Sequence, residues 1–159
     1  MNKYLEKLLD ENKLPVVLDY DGVLFEARWY KERINMPNET HKKLLEAYER
    51  GENLKSDPIP SVQEIVRKYK DNTYYVLSHM HGYVEYDFKK KQIEKYYPEI
   101  PVNRVIMATS VDNKIEHLDI IQKTHGAFIY IDDTHSSLIK FENTFDETCK
   151  FFHVSSLYV

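Results

Sequence analysis

Two carboxylates stand where an apolar run stops: Leu14-Pro15-Val16-Val17-Leu18-Asp19-Tyr20-Asp21-Gly22-Val23-Leu24. Asp19 and Asp21 are two residues apart, so extended backbone sends both side chains to the same side. Gly22 permits the chain to turn at once. Like charges crowded at a strand end repel each other and resist desolvation, so the arrangement is costly unless a cation or a substrate uses it. One carboxylate can attack phosphorus, forming an aspartyl-phosphate, while the other handles the leaving-group proton. A plain Asx turn, for which Asp-Gly is a common signal, explains the same string without chemistry.

Three further constellations follow. Ser78 ends Tyr74-Tyr75-Val76-Leu77-Ser78, where a hydroxyl can bind a phosphate oxygen or merely begin a loop. His79 and His81 come after it, able to touch substrate or line a wet loop, but too few for a usual metal site. Lys114 falls in the first turn of an expected helix, where a cation opposes the helix dipole unless an anion lies nearby; a solvated surface lysine is the simpler account. Asp132 and Asp133 end another apolar run, Ala127-Phe128-Ile129-Tyr130-Ile131. Should the two acidic strand ends be neighbours, their carboxylates suit Mg²⁺, which prefers oxygen ligands. Capping of the helix that begins near Thr134 is the competing role for Asp133.

These residues need elements to hold them. Leu14 to Leu18, Thr73 to Leu77, Val102 to Met107, Ala127 to Ile131 and Cys149 to Val154 read as five short strands. Helices are expected between them: Ser61, paired with Glu64 in a capping box, to about Tyr69; Val84 to Tyr97, stopped by Pro98; Asp112, as cap, to Thr124, with Gly126 beyond; and Thr134 to Glu142. Strands alternating with helices predict an α/β three-layer sandwich around a mostly parallel, five-stranded, Rossmann-like sheet. Residues 26–57 are too long for a simple βα loop. They contain Trp29, Tyr30, Pro37-Asn38 and a short helix from about Glu39 to Arg50, ended by Gly51. This stretch is expected to be a small cap-like insertion in a single domain spanning 1–159, or an extra packing helix.

Hydrophobic residues at 42% and charged residues at 30% fit an ordinary globular domain. A net charge of −4 gives no reason to expect nucleic acid or an anionic membrane as partner. No apolar run has the length of a membrane span, and Met1 to Lys13 is charged and amphipathic rather than signal-like. Cys149 is the single cysteine, which excludes an intramolecular disulfide and fits a reducing cytoplasm. The Lys89–Lys91 run is expected to be a solvated helix face.

The ordered set — D-x-D-G-V after a strand, Ser after a strand, Lys, then Asp-Asp after a strand — resembles the haloacid dehalogenase (HAD) superfamily over residues 14–133. Three stretches are similar to its 5′(3′)-deoxyribonucleotidase-like branch: Asp21 to Phe25, Lys89 to Ile100, and Asp132 to Leu138, although Ser136 stands where Gly or Asn is expected. The resemblance implies neighbouring first and fourth strands. It also implies roles. Asp19 is the nucleophile and a metal ligand; Asp21 is the acid/base, with its carbonyl on the metal. Ser78 binds the phosphoryl group and Lys114 pairs with Asp19. Asp132 ligates Mg²⁺ directly, and Asp133 directly or through water. An aspartate at Asp21 implies phosphoryl chemistry rather than dehalogenation.

The expected function is therefore Mg²⁺-dependent hydrolysis of a small phosphomonoester, a nucleoside 5′-monophosphate included. A catalytically silent phosphate-binding module and a phosphotransferase are the alternatives. Phe25, Trp29 and Tyr30 can stack on a substrate ring, and Arg28 and Lys31 can meet further anionic groups. Phe25 and Trp29 can equally anchor the insertion. The short insertion leaves an open site, compatible with a homodimer.

Overall fold

The computed structural model describes residues 1–26 and 56–158, together with Lys42, Lys43 and Glu46 as helical residues between them. Trp29, Tyr30, Arg28, Lys31 and most of the predicted insertion lie outside the described residues. The insertion leaves and returns at one point: the Glu26 amide donates to the Asp57 carbonyl at 2.9 Å, and the Ile59 amide donates to that of Leu24 at 2.9 Å.

In chain order the elements are α1 (Lys3–Glu11), β1 (Val16–Leu18), α2 (Pro60–Lys68), β2 (Tyr74–His79), α3 (Tyr83–Tyr96), β3 (Val105–Ala108), α4 (Val111–His125), β4 (Ile129–Asp132), α5 (His135–Glu142) and β5 (Lys150–His153). The five strands form one sheet in the order β3-β2-β1-β4-β5. Every pairing is parallel, so the sheet is fully rather than mostly parallel. Helices cover both faces, giving a three-layer, Rossmann-like α/β sandwich.

Side-chain alternation assigns the two faces. Val16 and Leu18 pack into one core with Leu5 and Leu9 of α1, Val62 and Val66 of α2, and Ile93 of α3. Val17 packs into a second core with Leu118 and Ile121 of α4 and Leu138 and Phe141 of α5. Consecutive residues of β1 thus serve opposite cores, the period-2 pattern of a strand buried on both sides.

Several element ends differ from the sequence expectation, each for a local reason. Pro60, with no amide to satisfy, opens α2 two residues early. Ile59 occupies the cap position, and the Ser61–Glu64 capping box does not form. Ser110, not Asp112, caps α4, its hydroxyl accepting from the Asn113 amide at 3.0 Å. Asp112 lies within the first turn and pairs with Lys140 at 2.6 Å. Val102–Arg104 is a single 3₁₀ turn that precedes β3. Gly126 ends α4 at φ +84°, a conformation few other residues adopt without strain. No helix among the described residues is long and apolar enough to cross a membrane.

Candidate active site

β1 and β4 are neighbours in register, with Leu18 beside Ile131. The strand order reverses its winding between them, which makes their carboxyl ends a topological switch point where ligands gather in such sheets. Asp19 follows β1 directly, and its amide donates to the Ile131 carbonyl at 3.0 Å. Beyond it the chain closes a tight loop: the Tyr20 carbonyl accepts from the amides of Leu24 and Phe25, at 3.1 and 3.0 Å. Gly22 makes this loop feasible at φ +79°.

Parity along the strands decides which face each polar side chain joins. Asp19 follows Val17, and Asp132 follows Tyr130, on the α4–α5 side. Lys114 comes up from α4 to meet them. Its ammonium lies 3.2 Å from Asp19 Oδ1 and 3.2 Å from Asp132 Oδ2, and donates to the Tyr130 hydroxyl at 3.1 Å. The Tyr130 hydroxyl donates to Asp132 Oδ2 at 2.6 Å, and the Thr134 amide donates to Oδ1 at 2.8 Å. Asp132, not Asp133, therefore satisfies the amide at the start of α5.

Oxygen atoms of Asp19, Asp132 and Asp133 lie within 4.8 Å of one another. With one ammonium between three carboxylates, the cluster has two negative charges in excess, the complement of a divalent cation. Burial raises the Asp19 carboxyl from its ordinary 3.8 to about 7, against the pull of Lys114. Burial and the neighbouring Asp132 raise Asp133 as well. Asp132 is held low despite burial, because Lys114 and the Tyr130 hydroxyl stabilise its anion.

On the other face stands an arrangement absent from the sequence expectation. Ser78 lies inside β2 rather than after it and is buried. It shares the α1–α3 side with Val76, and its hydroxyl accepts from Lys89 of α3 at 3.1 Å. Lys89 is 3% exposed, which corrects the reading of Lys89–Lys91 as a solvated face. Its ammonium also reaches Asp21 Oδ2 at 2.6 Å and Glu85 Oε1 at 2.9 Å. Glu85 in turn accepts from the His81 amide at 2.7 Å. The signal was the four-residue spacing: Glu85, Lys89, Ile93 and Tyr97 are all buried, so the face that begins apolar continues into an ion pair. Tyr130 was equally legible as the same-face neighbour of Asp132.

The remaining expected residues divide. His79 is exposed at the end of β2 and stacks on His81, with centroids 5.0 Å apart. Partial burial, then the proximity of His81 and Lys114, lower its pKa. Phe25 is fully buried, stacked on Tyr20 at 4.3 Å and edge-on to Tyr97 at 5.5 Å. Its ring anchors the base of the insertion and offers no face to a substrate, so the stacking role is corrected. Trp29 lies outside the described residues.

No family model matches the chain, and no curated protein matches it.

Proposed function

We propose that this chain is a Mg²⁺-dependent phosphohydrolase of HAD type that acts on a small phosphomonoester, such as a nucleoside 5′-monophosphate, through an aspartyl-phosphate on Asp19. The observation that carries the reading is the meeting of Asp19, Asp132 and Asp133 at adjacent strand ends, with Lys114 between two of them. The donor set fits a hard divalent cation: three carboxylates, two negative charges in excess and, among the described residues, no sulfur or nitrogen ligand. When bound, Mg²⁺ neutralises charge on the phosphoryl oxygens and lessens repulsion between phosphate and nucleophile.

The chain's own groups supply the rest. An Asp19 oxygen attacks phosphorus, the bond to the leaving oxygen breaks, and Asp21 gives that oxygen a proton. Asp21, now anionic, takes a proton from water as the water attacks phosphorus. The bond to Asp19 breaks, which frees inorganic phosphate and restores the carboxylate. Lys114 holds Asp19 and compensates phosphoryl charge, with the Ser78 hydroxyl as a further contact. Specificity resides in groups beyond the phosphate, with His79 and His81 at the rim of the site.

A phosphate-release screen over nucleotides, sugar phosphates and phosphopeptides with Mg²⁺ tests the proposal. Release that stops on chelation supports it; no release from any substrate opposes it. A silent phosphate-binding module is the second reading, favoured by the 2.6 Å hold of Lys89 on Asp21 Oδ2. It predicts thermal stabilisation by phosphate esters without release.

A further inference from the structure

Lys89 is buried, yet its ammonium is fully satisfied. An ammonium carries three N–H donors. They are taken by Asp21 Oδ2 at 2.6 Å, Glu85 Oε1 at 2.9 Å and Ser78 Oγ at 3.1 Å. The Tyr20 ring covers it at 4.6 Å from the centroid. Lys89 therefore has no donor left for a substrate. Glu85 is buried as well, and its other oxygen, Oε2, accepts from the His81 amide and lies 3.2 Å from the His81 ring nitrogen. Residues 81, 85 and 89 follow one another at four-residue intervals, so a single ladder runs from the loop after β2 down to Asp21.

Asp21 stands in a tight loop, and its side chain is 38% exposed. Its Oδ1 makes no hydrogen bond among the described residues. A carboxylate on such a loop has free torsions unless something fixes them. Lys89 fixes one oxygen and leaves the other open.

We propose that Lys89, anchored by Glu85, is the positioning residue of the site: it ties the Asp21 carboxylate to the Ser78 hydroxyl and so sets the orientation in which Asp21 exchanges protons. This rests on the phosphohydrolase reading above. Lys114 serves Asp19 from the α4 face, and Lys89 serves Asp21 from the α3 face. Only the first can trade a partner for the phosphate without releasing the acid/base.

The test pairs Glu85→Gln with Lys89→Met, so that neither buried charge is orphaned. p-Nitrophenyl phosphate has a leaving group that departs without a proton. Formation of the aspartyl-phosphate then survives a displaced Asp21, while its hydrolysis, which needs the carboxylate to take a proton from water, does not. With Mg²⁺ and rapid mixing, the double variant is expected to release a burst of p-nitrophenolate approaching one equivalent of enzyme. A steady state roughly 10²-fold slower than wild type is to follow, the usual scale of acid–base catalysis, with KM not raised. A raised KM with kcat retained, or a fall in kcat without a burst, overturns the assignment while leaving the phosphohydrolase reading in place. No release by wild type removes both. Should the double variant not fold, Glu85→Gln alone carries the test: a smaller burst sustains the assignment, and none overturns it.

Discussion

Gly22 and Asp133 leave no room for a methyl group between them: a Cβ built on Gly22 lies 2.2 Å from Asp133 Oδ2 and 2.6 Å from its Cγ. The loop after β1 thus touches the residue after β4, and the two acidic motifs are in contact through the one residue without a side chain. Gly22→Ala has to move Asp133 or the loop, and it also strains a backbone at φ +79°. We expect a loss above ~1 kcal/mol in urea denaturation and a larger proportional loss of phosphate release. Unchanged activity would show that the contact is incidental.

Asp19 ought to be a stability liability when no cation is bound. Burial raises its carboxyl from 3.8 to about 7. A carboxyl raised on folding contributes stability that is fully present below about 3.8 and is lost as pH rises through about 7. In chelator at pH 8, Asp19→Asn is therefore predicted to be more stable than wild type, by up to a few kcal/mol. The difference is to close as pH falls toward 4. Urea midpoints across that range check the sign.

Divalent cation should reverse that liability. A ligand at a hundred times its dissociation constant stabilises the folded state by about 2.7 kcal/mol. Mg²⁺ is expected to raise the melting temperature of wild type, and much less that of Asp133→Asn. Equal shifts in both proteins would remove Asp133 from the metal site.

Glu85 works in the opposite direction. Burial alone would raise its carboxyl, but hydrogen bonds from His81 and the charge of Lys89 outweigh that and hold it at about 2, below the usual 4.5. A depressed carboxyl contributes stability above about 4.5 and loses it as pH falls through about 2. Glu85→Gln should cost on the order of 2 kcal/mol at neutral pH and flatten the acid limb of the stability profile. A wild-type acid limb in the variant would contradict the pairing.

How much of this was legible in the sequence depends on what each residue borrows from its neighbours. The strand-helix alternation and the acidic strand ends were readable because apolar runs and their abrupt stops are local signals. The adjacency of β1 and β4 is a topological fact, and it now rests on paired backbone. A Lys-Lys-Lys run looks solvated, whereas the helix buries Lys89, the member aligned with Ile93 and Tyr97. For Phe25 the sequence leaves stacking on substrate and anchoring of the insertion both open, because its burial depends on Tyr20, Tyr96 and Tyr97, of which the last two are far away in sequence. The helix at Val111 starts where it does because Ser110, not Asp112, reaches a free amide, and the helix at Pro60 starts with no side-chain cap at all, differences that composition does not encode.

Covalent trapping tests the central claim most directly. Wild type mixed with a turned-over phosphomonoester and Mg²⁺, quenched in acid and digested, should yield one peptide heavier by a single phosphoryl group, with the group on Asp19. The same peptide should be unmodified after chelation. Phosphate release without any phosphoryl group on Asp19, or sustained release by Asp19→Asn, would contradict the account.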